Sequence, residues 1–190
     1  MPPRMRITGD MIIDAAIAVV RQSGYENVNA RTVAGQLRCS TQPVMYHFST
    51  MESLKKAAYK RADQIHSEYM MNIPREQDPV LGIGLNYIRF AVEEPLLFRF
   101  LFQSGYAEEH SVTDMVGSPE LLPVLDAMRE GSGLSMEQTK KVFLTVALFA
   151  HGYASIIANN HLEYDEKVIA EHLERCWNGA VLMAVREGKE

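Results

Sequence analysis

Between Asn29 and Glu52 the sequence starts three helices within twenty-four residues. Two of them have room for only about two turns each. Asn29 can cap "ARTVAGQL", residues 30–37. Ser40 can cap "TQPVMYHF", residues 41–48, with Pro43 in the first turn, where its missing N–H costs little. Ser49 and Glu52 read as a capping box for a longer helix. Eight-residue helices do not hold in water alone, so neighbouring elements must cover them. Val33, Leu37, Val44 and Phe48 are the residues to be covered. Thr41, Gln42, Tyr46 and His47 are then left facing water.

The rest of the chain is helical by the same signs. Thr8 can cap a first helix in which Ile13, Ala16, Ile17 and Val20 form one stripe, and Gly24 reads as its left-handed cap. The fourth helix carries Leu54, Ala58 and Ile65 inward to about Asn72, ahead of Pro74. Asp78-Pro79 opens a fifth and Pro95 a sixth. A loop with Gly and Ser occupies 105–117. Ser118-Pro119-Glu120 starts another helix, with a kink or early break predicted at Pro123. Ser135 with Gln138 boxes a long apolar segment reaching about Asn159. The last helix starts near Asp165 and carries Val168, Ile169, His172, Leu173, Cys176, Ala180 and Met183 as a stripe. Strand alternation is nearly absent, so the expected class is all-α with about nine helices. The expected domains are 1–50, joined by a helix over 51–72 to a helical domain over 73–190.

Bulk properties narrow the function. At 190 residues and 47% hydrophobic content the chain can build a sizeable core. No apolar run approaches the roughly 20 residues of a membrane span, and the N-terminus lacks the apolar segment of a secretion signal. A cytoplasmic protein with no membrane partner is expected. Cys39 and Cys176 fit no metal or disulfide spacing, so both are expected as packed, reduced thiols and no metal or other cofactor is implied. No phosphate-cradling glycine loop, nucleophile elbow or zinc helix occurs, and an enzyme is not expected. The net charge of −5 hides an asymmetry: residues 1–60 hold eight Lys+Arg against four Asp+Glu, and the remainder eleven against twenty. A basic N-terminal third on an acidic body suits one end for a polyanion.

Two short helices joined by the turn "RCS" have the helix-turn-helix layout. A second helix standing proud of a small bundle fits the DNA major groove, where hydroxyls and amides read base edges. "IIDAA", Gly24-Tyr25, "NARTVA", "STQP" and "HF–ME–L", at these spacings over about residues 8–58, resemble the TetR family of bacterial transcription regulators. "YIRFAVEEPLLFRFLF" and "ALFAHGYASI" resemble one C-terminal subtype of that family. The turn begins with Arg38 where the family usually has Gly, and a left-handed arginine costs of order 1 kcal/mol. Met45 stands where many members have Tyr, and Met51 where they have Lys. Tyr46 and Lys55 are then placed to take over phosphate contacts. The resemblance implies an all-helical dimer. Its N-terminal domain binds operator DNA, and its larger domain holds the dimer interface and a small-molecule pocket. Ligand binding then changes the spacing of the two DNA heads.

The candidate DNA-binding residues are therefore Asn29, Arg31, Thr41, Gln42, Pro43, Tyr46, His47 and Lys55. Thr41 and Gln42 are expected at bases, Tyr46, His47, Arg31 and Lys55 at phosphates. An ordinary solvated face is the bland alternative. Arg4 and Arg6 can form a minor-groove arm or a frayed terminus. Candidate effector-pocket residues are Tyr87, Phe90, Phe98, Phe102, Phe143, Ala147 and His151, with Phe100 nearby. At helical spacing such residues are commonly core, and a regulator's pocket is cut from its core. Gly152 can let a helix or ligand approach closely. The expected function is a ligand-responsive one-component regulator, a repressor, with double-stranded operator DNA, a second copy and an unknown small molecule as partners. Dimerisation is expected through the helices at about 136–159 and 165–187 as a four-helix bundle. The alternative is a helical protein-interaction module with only non-specific DNA affinity.

Overall fold

The computed structural model describes residues 7–107, 116–160 and 162–188. Among them are nine α-helices, two short 3-10 turns and no strand. Arg4, Arg6 and most of the expected loop over 105–117 lie outside the described residues. The chain divides into two compact units: residues up to Ser67 with Glu94–Ala107, and Glu68–Glu93 with the described part of Glu108–Glu190. The sequence-based boundaries at 50 and 73 differ from this division.

In the first unit, α1 (Gly9–Ser23) starts at Thr8, whose Oγ1 accepts from Met11 N at 3.3 Å. Ile12, Ala15, Ala16, Ile17, Val19 and Val20 of α1 are buried. Gly24 ends it at φ 88°, ψ 160°, a conformation open to glycine but not the left-handed helical one expected. Helix α2 (Ala30–Gln36) is capped by Asn29 Oδ1, which accepts from Arg31 N and Thr32 N, both at 3.0 Å. Thr32 Oγ1 accepts in return from Asn29 N at 3.1 Å. Helix α3 (Gln42–His47) has Thr41 at its N-cap with no side-chain cap bond, so the expected Ser40 cap does not form. Before α4 (Met51–Met71), Thr50 Oγ1 accepts from Ser53 N at 3.0 Å. That bond replaces the Ser49–Glu52 box. The buried stripe of α4 is Leu54, Ala58, Ala62 and His66, rather than one ending at Ile65. Helix α6 (Pro95–Gln103) buries Leu97, Phe98, Phe100 and Leu101 in the same unit. Tyr25 stacks on Phe100 at 5.4 Å, Tyr59 meets it edge-on, and the Tyr59 hydroxyl donates to Leu101 O at 3.2 Å.

The second unit is built round α5 (Pro79–Glu93), which starts at Asp78 and buries Ile83, Leu85, Asn86, Ile88, Phe90 and Ala91. A 3-10 turn at Pro119–Leu121 passes directly into α7 (Leu122–Ser132), so Pro123 marks the predicted break and falls in the first turn of α7. Helix α8 (Met136–Asn160) begins at the reciprocal Ser135–Gln138 box. Helix α9 (Glu166–Glu187) begins at Asp165, whose Oδ1 accepts from Val168 N at 3.1 Å. Ile83, Val124, Met128, Leu134, Val142 and Ala184 form one core cluster with Trp177 and Phe143 against it.

By length and composition α8 is apolar enough to cross a membrane, which corrects the expectation that no segment approaches one. Only 28% of its most apolar window is buried. Its apolar character exceeds what the core of one chain uses. Leu148, Ile156, Leu182 and Met183, on α8 and α9, are each more than half exposed.

The last turn of α4 is held by one side chain. Asn86, 6% exposed, directs Nδ2 at the carbonyls of Tyr69, Met70 and Asn72 at 3.1–3.3 Å. Those carbonyls lie where a helix runs out of internal donors. Arg89 donates to Asn86 Oδ1 at 3.1 Å and to Glu166 Oε2 at 2.6 Å. A Cβ at Gly82 would lie 2.6 Å from Ile73 Cγ2, so only glycine lets the segment after α4 pack this tightly. Gly152, by contrast, has nothing within 4 Å of such a Cβ, so no neighbouring group among the described residues needs a glycine there.

Candidate functional site

The α2–α3 pair owes its form to the turn between its helices. Arg38 sits at φ 51°, the one positive φ outside glycine among the described residues. Cys39 N donates to Ala34 O at 3.0 Å and Arg38 N to Gly35 O at 3.1 Å. These two bonds make a Schellman motif with arginine in the left-handed position glycine usually takes. The Cys39 thiol is half-buried and donates to Ser40 O at 3.2 Å.

Val44 is fully buried at the back of α3, and Phe48 is half-buried. Thr41, Gln42, Tyr46 and His47 are exposed, Tyr46 at 81%. Gln42 and Tyr46 are an i,i+4 pair on the outward side. His47 Nε2 lies 3.1 Å from Ile7 O, and the ring meets Tyr46 edge-on at 5.3 Å, so His47 also ties α3 to the start of α1. Arg31 and Asn29 are exposed, with the Asn29 amide occupied as the α2 cap. Pro43 and Lys55 are half-buried. Met45, which the sequence marks only as standing where many family members have Tyr, joins this face at 45% exposure.

The expected effector residues are distributed over both units. Phe98 and Phe102 lie 4.8 Å apart in the first unit, where Phe102 meets the edge of His66 at 5.4 Å. His66 is 5% exposed, and burial lowers its pKa to about 4. Tyr87, Phe90, Phe143, Ala147 and His151 belong to the second unit. Phe90 is fully buried against Tyr69. Phe143 and Ala147 are half-buried. Tyr87 and His151 meet: the phenol oxygen is 2.9 Å from Nδ1, and Nε2 is 3.2 Å from Ser155 Oγ. Burial raises the Tyr87 pKa and lowers that of His151, so both are neutral at pH 7. In the tautomer with its proton on Nε2, His151 accepts from the Tyr87 phenol at Nδ1 and donates from Nε2 to Ser155; the other tautomer reverses both bonds. A second such pair went unread in the sequence, Tyr153 Oη to His172 Nδ1 at 2.8 Å. Two surface grooves, of about 320 and 360 Å³, are lined by other residues, one around Gln22 and Gln36 and one around Ser135 and Glu187. Among the described residues no group of three or more His, Cys, Asp or Glu has metal-site geometry.

A capped helix-turn-helix with a polar outward face, followed by an all-α body, defines the class of helical DNA-binding regulators. Residues 80–178 match the model of the tetracyclin repressor-like C-terminal domain. That is more than half of the chain, which belongs to the TetR family of transcriptional regulators, DNA-binding proteins rather than enzymes. YobS of Bacillus subtilis (strain 168), an uncharacterized HTH-type transcriptional regulator, is 19% identical over 174 residues, covering 89% of this chain and 88% of its own. A TetR-family regulator from Streptomyces coelicolor superposes with a TM-score of 0.69 at 14% identity, over 94% of this chain and 88% of that one. The multidrug binding protein EbrR in complex with ethidium superposes with a TM-score of 0.59 at 23% identity, over 88% and 97%.

Proposed function

We propose that this chain is a one-component repressor that binds a palindromic operator as a homodimer and releases it when a small molecule enters its second unit. The observation that carries the reading is the outward face of α3. A helix of six residues with a fully buried Val44 behind it holds Thr41, Gln42 and Tyr46 to solvent, Tyr46 with only the edge of His47 beside it among the described residues. Thr41 and Gln42 reach base edges in the major groove. Tyr46, His47, Arg31 and Lys55 meet phosphates, with Asn29 and Pro43 at the two helix starts beside them. Residues 1–50 are then the reading head, 51–72 the link and 73–190 the effector and dimer domain of a cytoplasmic protein.

Two further features support the reading. The exposed apolar residues of α8 and α9 suit a two-fold four-helix interface, which pairs naturally with a palindrome. The Tyr87–His151–Ser155 chain is a polar island on apolar helices, the composition of a small-molecule site. The ethidium complex of EbrR favours an apolar, aromatic effector. An effector that binds the operator-incompetent arrangement better shifts the population away from DNA.

Fluorescence anisotropy on DNA from upstream of the protein's own gene, titrated against salt, tests this. The wild type prefers that DNA over a scrambled sequence, and the Gln42→Ala/Tyr46→Ala double variant loses the preference. Equal, weak binding by both proteins that vanishes with modest salt reduces the head to a generic basic surface. A helical protein-interaction module is then the better description.

A further inference from the structure

We infer that Met45 is a specificity residue, reading the C5-methyl group of a thymine in each half-site. The inference rests on the DNA-binding reading of α3. A lone exposed methionine elsewhere on the surface needs no explanation. Met45 is distinguished by its place. It lies one turn after Thr41 on a helix of six residues and beside Tyr46, and it is the apolar member of the outward set Thr41, Gln42, Met45 and Tyr46.

The chemistry of the major groove gives such a residue one task. Hydroxyls and amides detect donors and acceptors on base edges, and Thr41 and Gln42 supply those. The apolar feature that marks a base pair in the groove is the thymine methyl, which is read by apolar contact and not by a hydrogen bond. Met45 supplies a flexible, polarizable thioether that adapts to it. Nothing in the chain's own core uses this residue fully, since it stays 45% exposed while Val44 beside it is at 0%. The backbone at Met45 is fixed by its N–H to Thr41 O at 3.1 Å, so residues 41 and 45 move as one edge of the reading face.

The test separates this inference from the reading beneath it. Wild-type full-length protein selects binding sites from a random duplex library. Each thymine of the selected site is then replaced, in symmetric pairs, by deoxyuridine, which lacks only the methyl group. Affinities are measured by anisotropy for the wild type, Met45→Ala and the length-matched polar variant Met45→Gln. Circular dichroism melts verify that both variants fold. The expected result is one thymine pair at which deoxyuridine weakens the wild type by roughly fourfold per half-site, the factor for burying one methyl-sized group. Both variants bind the two DNAs equally. Deoxyuridine penalties that are the same in wild type and variants, or absent from the wild type, overturn the role of Met45 and leave DNA binding intact. If no sequence is enriched, the DNA reading itself fails and the inference falls with it.

Discussion

At the scale of single residues, His66 is where burial and ionisation conflict. It sits at 5% exposure on α4, edge-on to Phe102, and its pKa is lowered to about 4 from 6.5. The unfolded chain therefore binds this proton first as pH falls. The stability due to the neutral ring is complete above pH 6.5 and is lost progressively down to about pH 4. Between pH 7 and 5 the loss is about 2 kcal/mol. Urea midpoints at the two pH values measure it, and His66→Leu is expected to abolish that part of the slope. An unchanged slope in the variant would assign the pH dependence to other groups. Arg38 is the other residue under tension. Its departure from glycine was visible in the sequence, and the structure keeps the ordinary Schellman turn by accepting the left-handed arginine.

At the scale of elements, the caps show what the sequence discloses and what it hides. Thr8, Asn29, Ser135 with Gln138, and Asp165 each do what their position indicates. Ser40 and Ser49 do not: α3 starts without a side-chain cap bond, and at α4 the threonine after Ser49 takes the bond, a choice pattern alone cannot rank. The α4 end was similarly unreadable, because its cap is Asn86, contributed from fourteen residues beyond Asn72. With α4 running through the division between the units, this buried amide fixes its last turn. Asn86→Ala leaves those carbonyls in an apolar setting and is expected to cost about 2 kcal/mol. It is also expected to speed amide exchange over residues 68–73. Exchange there no faster than in the wild type would show that the turn holds without its clamp.

At the scale of the whole molecule, class and family motif were legible in the sequence, while the assignment of residues to the two units was not. Helical spacing put Phe98, Phe102, Tyr87, Phe90 and His151 in one aromatic list, because periodicity reports which face of a helix is buried and not what it is buried against. The fold divides that list between two units. The stripes of the last two helices are expected at a dimer interface, and Met183, on the last of them, is 53% exposed. If α8 and α9 bind a second copy, Leu182→Glu with Met183→Glu gives a monomer by sedimentation velocity at micromolar concentration. Operator affinity falls by at least tenfold as the two half-sites become independent. A wild-type monomer under the same conditions would sink the dimer.

The two tyrosine–histidine pairs carry a consequence for how the second unit can rearrange. Residues 151 and 153 lie on different sides of α8, and through them α8 bonds to Tyr87 of α5 and to His172 of α9. Sliding α8 by less than a full turn of about 5.4 Å separates both pairs at once. All four side chains are half-buried, so each lost bond costs on the order of 1 kcal/mol, the net worth of an ordinary hydrogen bond. No His or Tyr stands one turn away from either residue to renew the bonds, so the two pairs act as a latch that holds α8 in register with both neighbours.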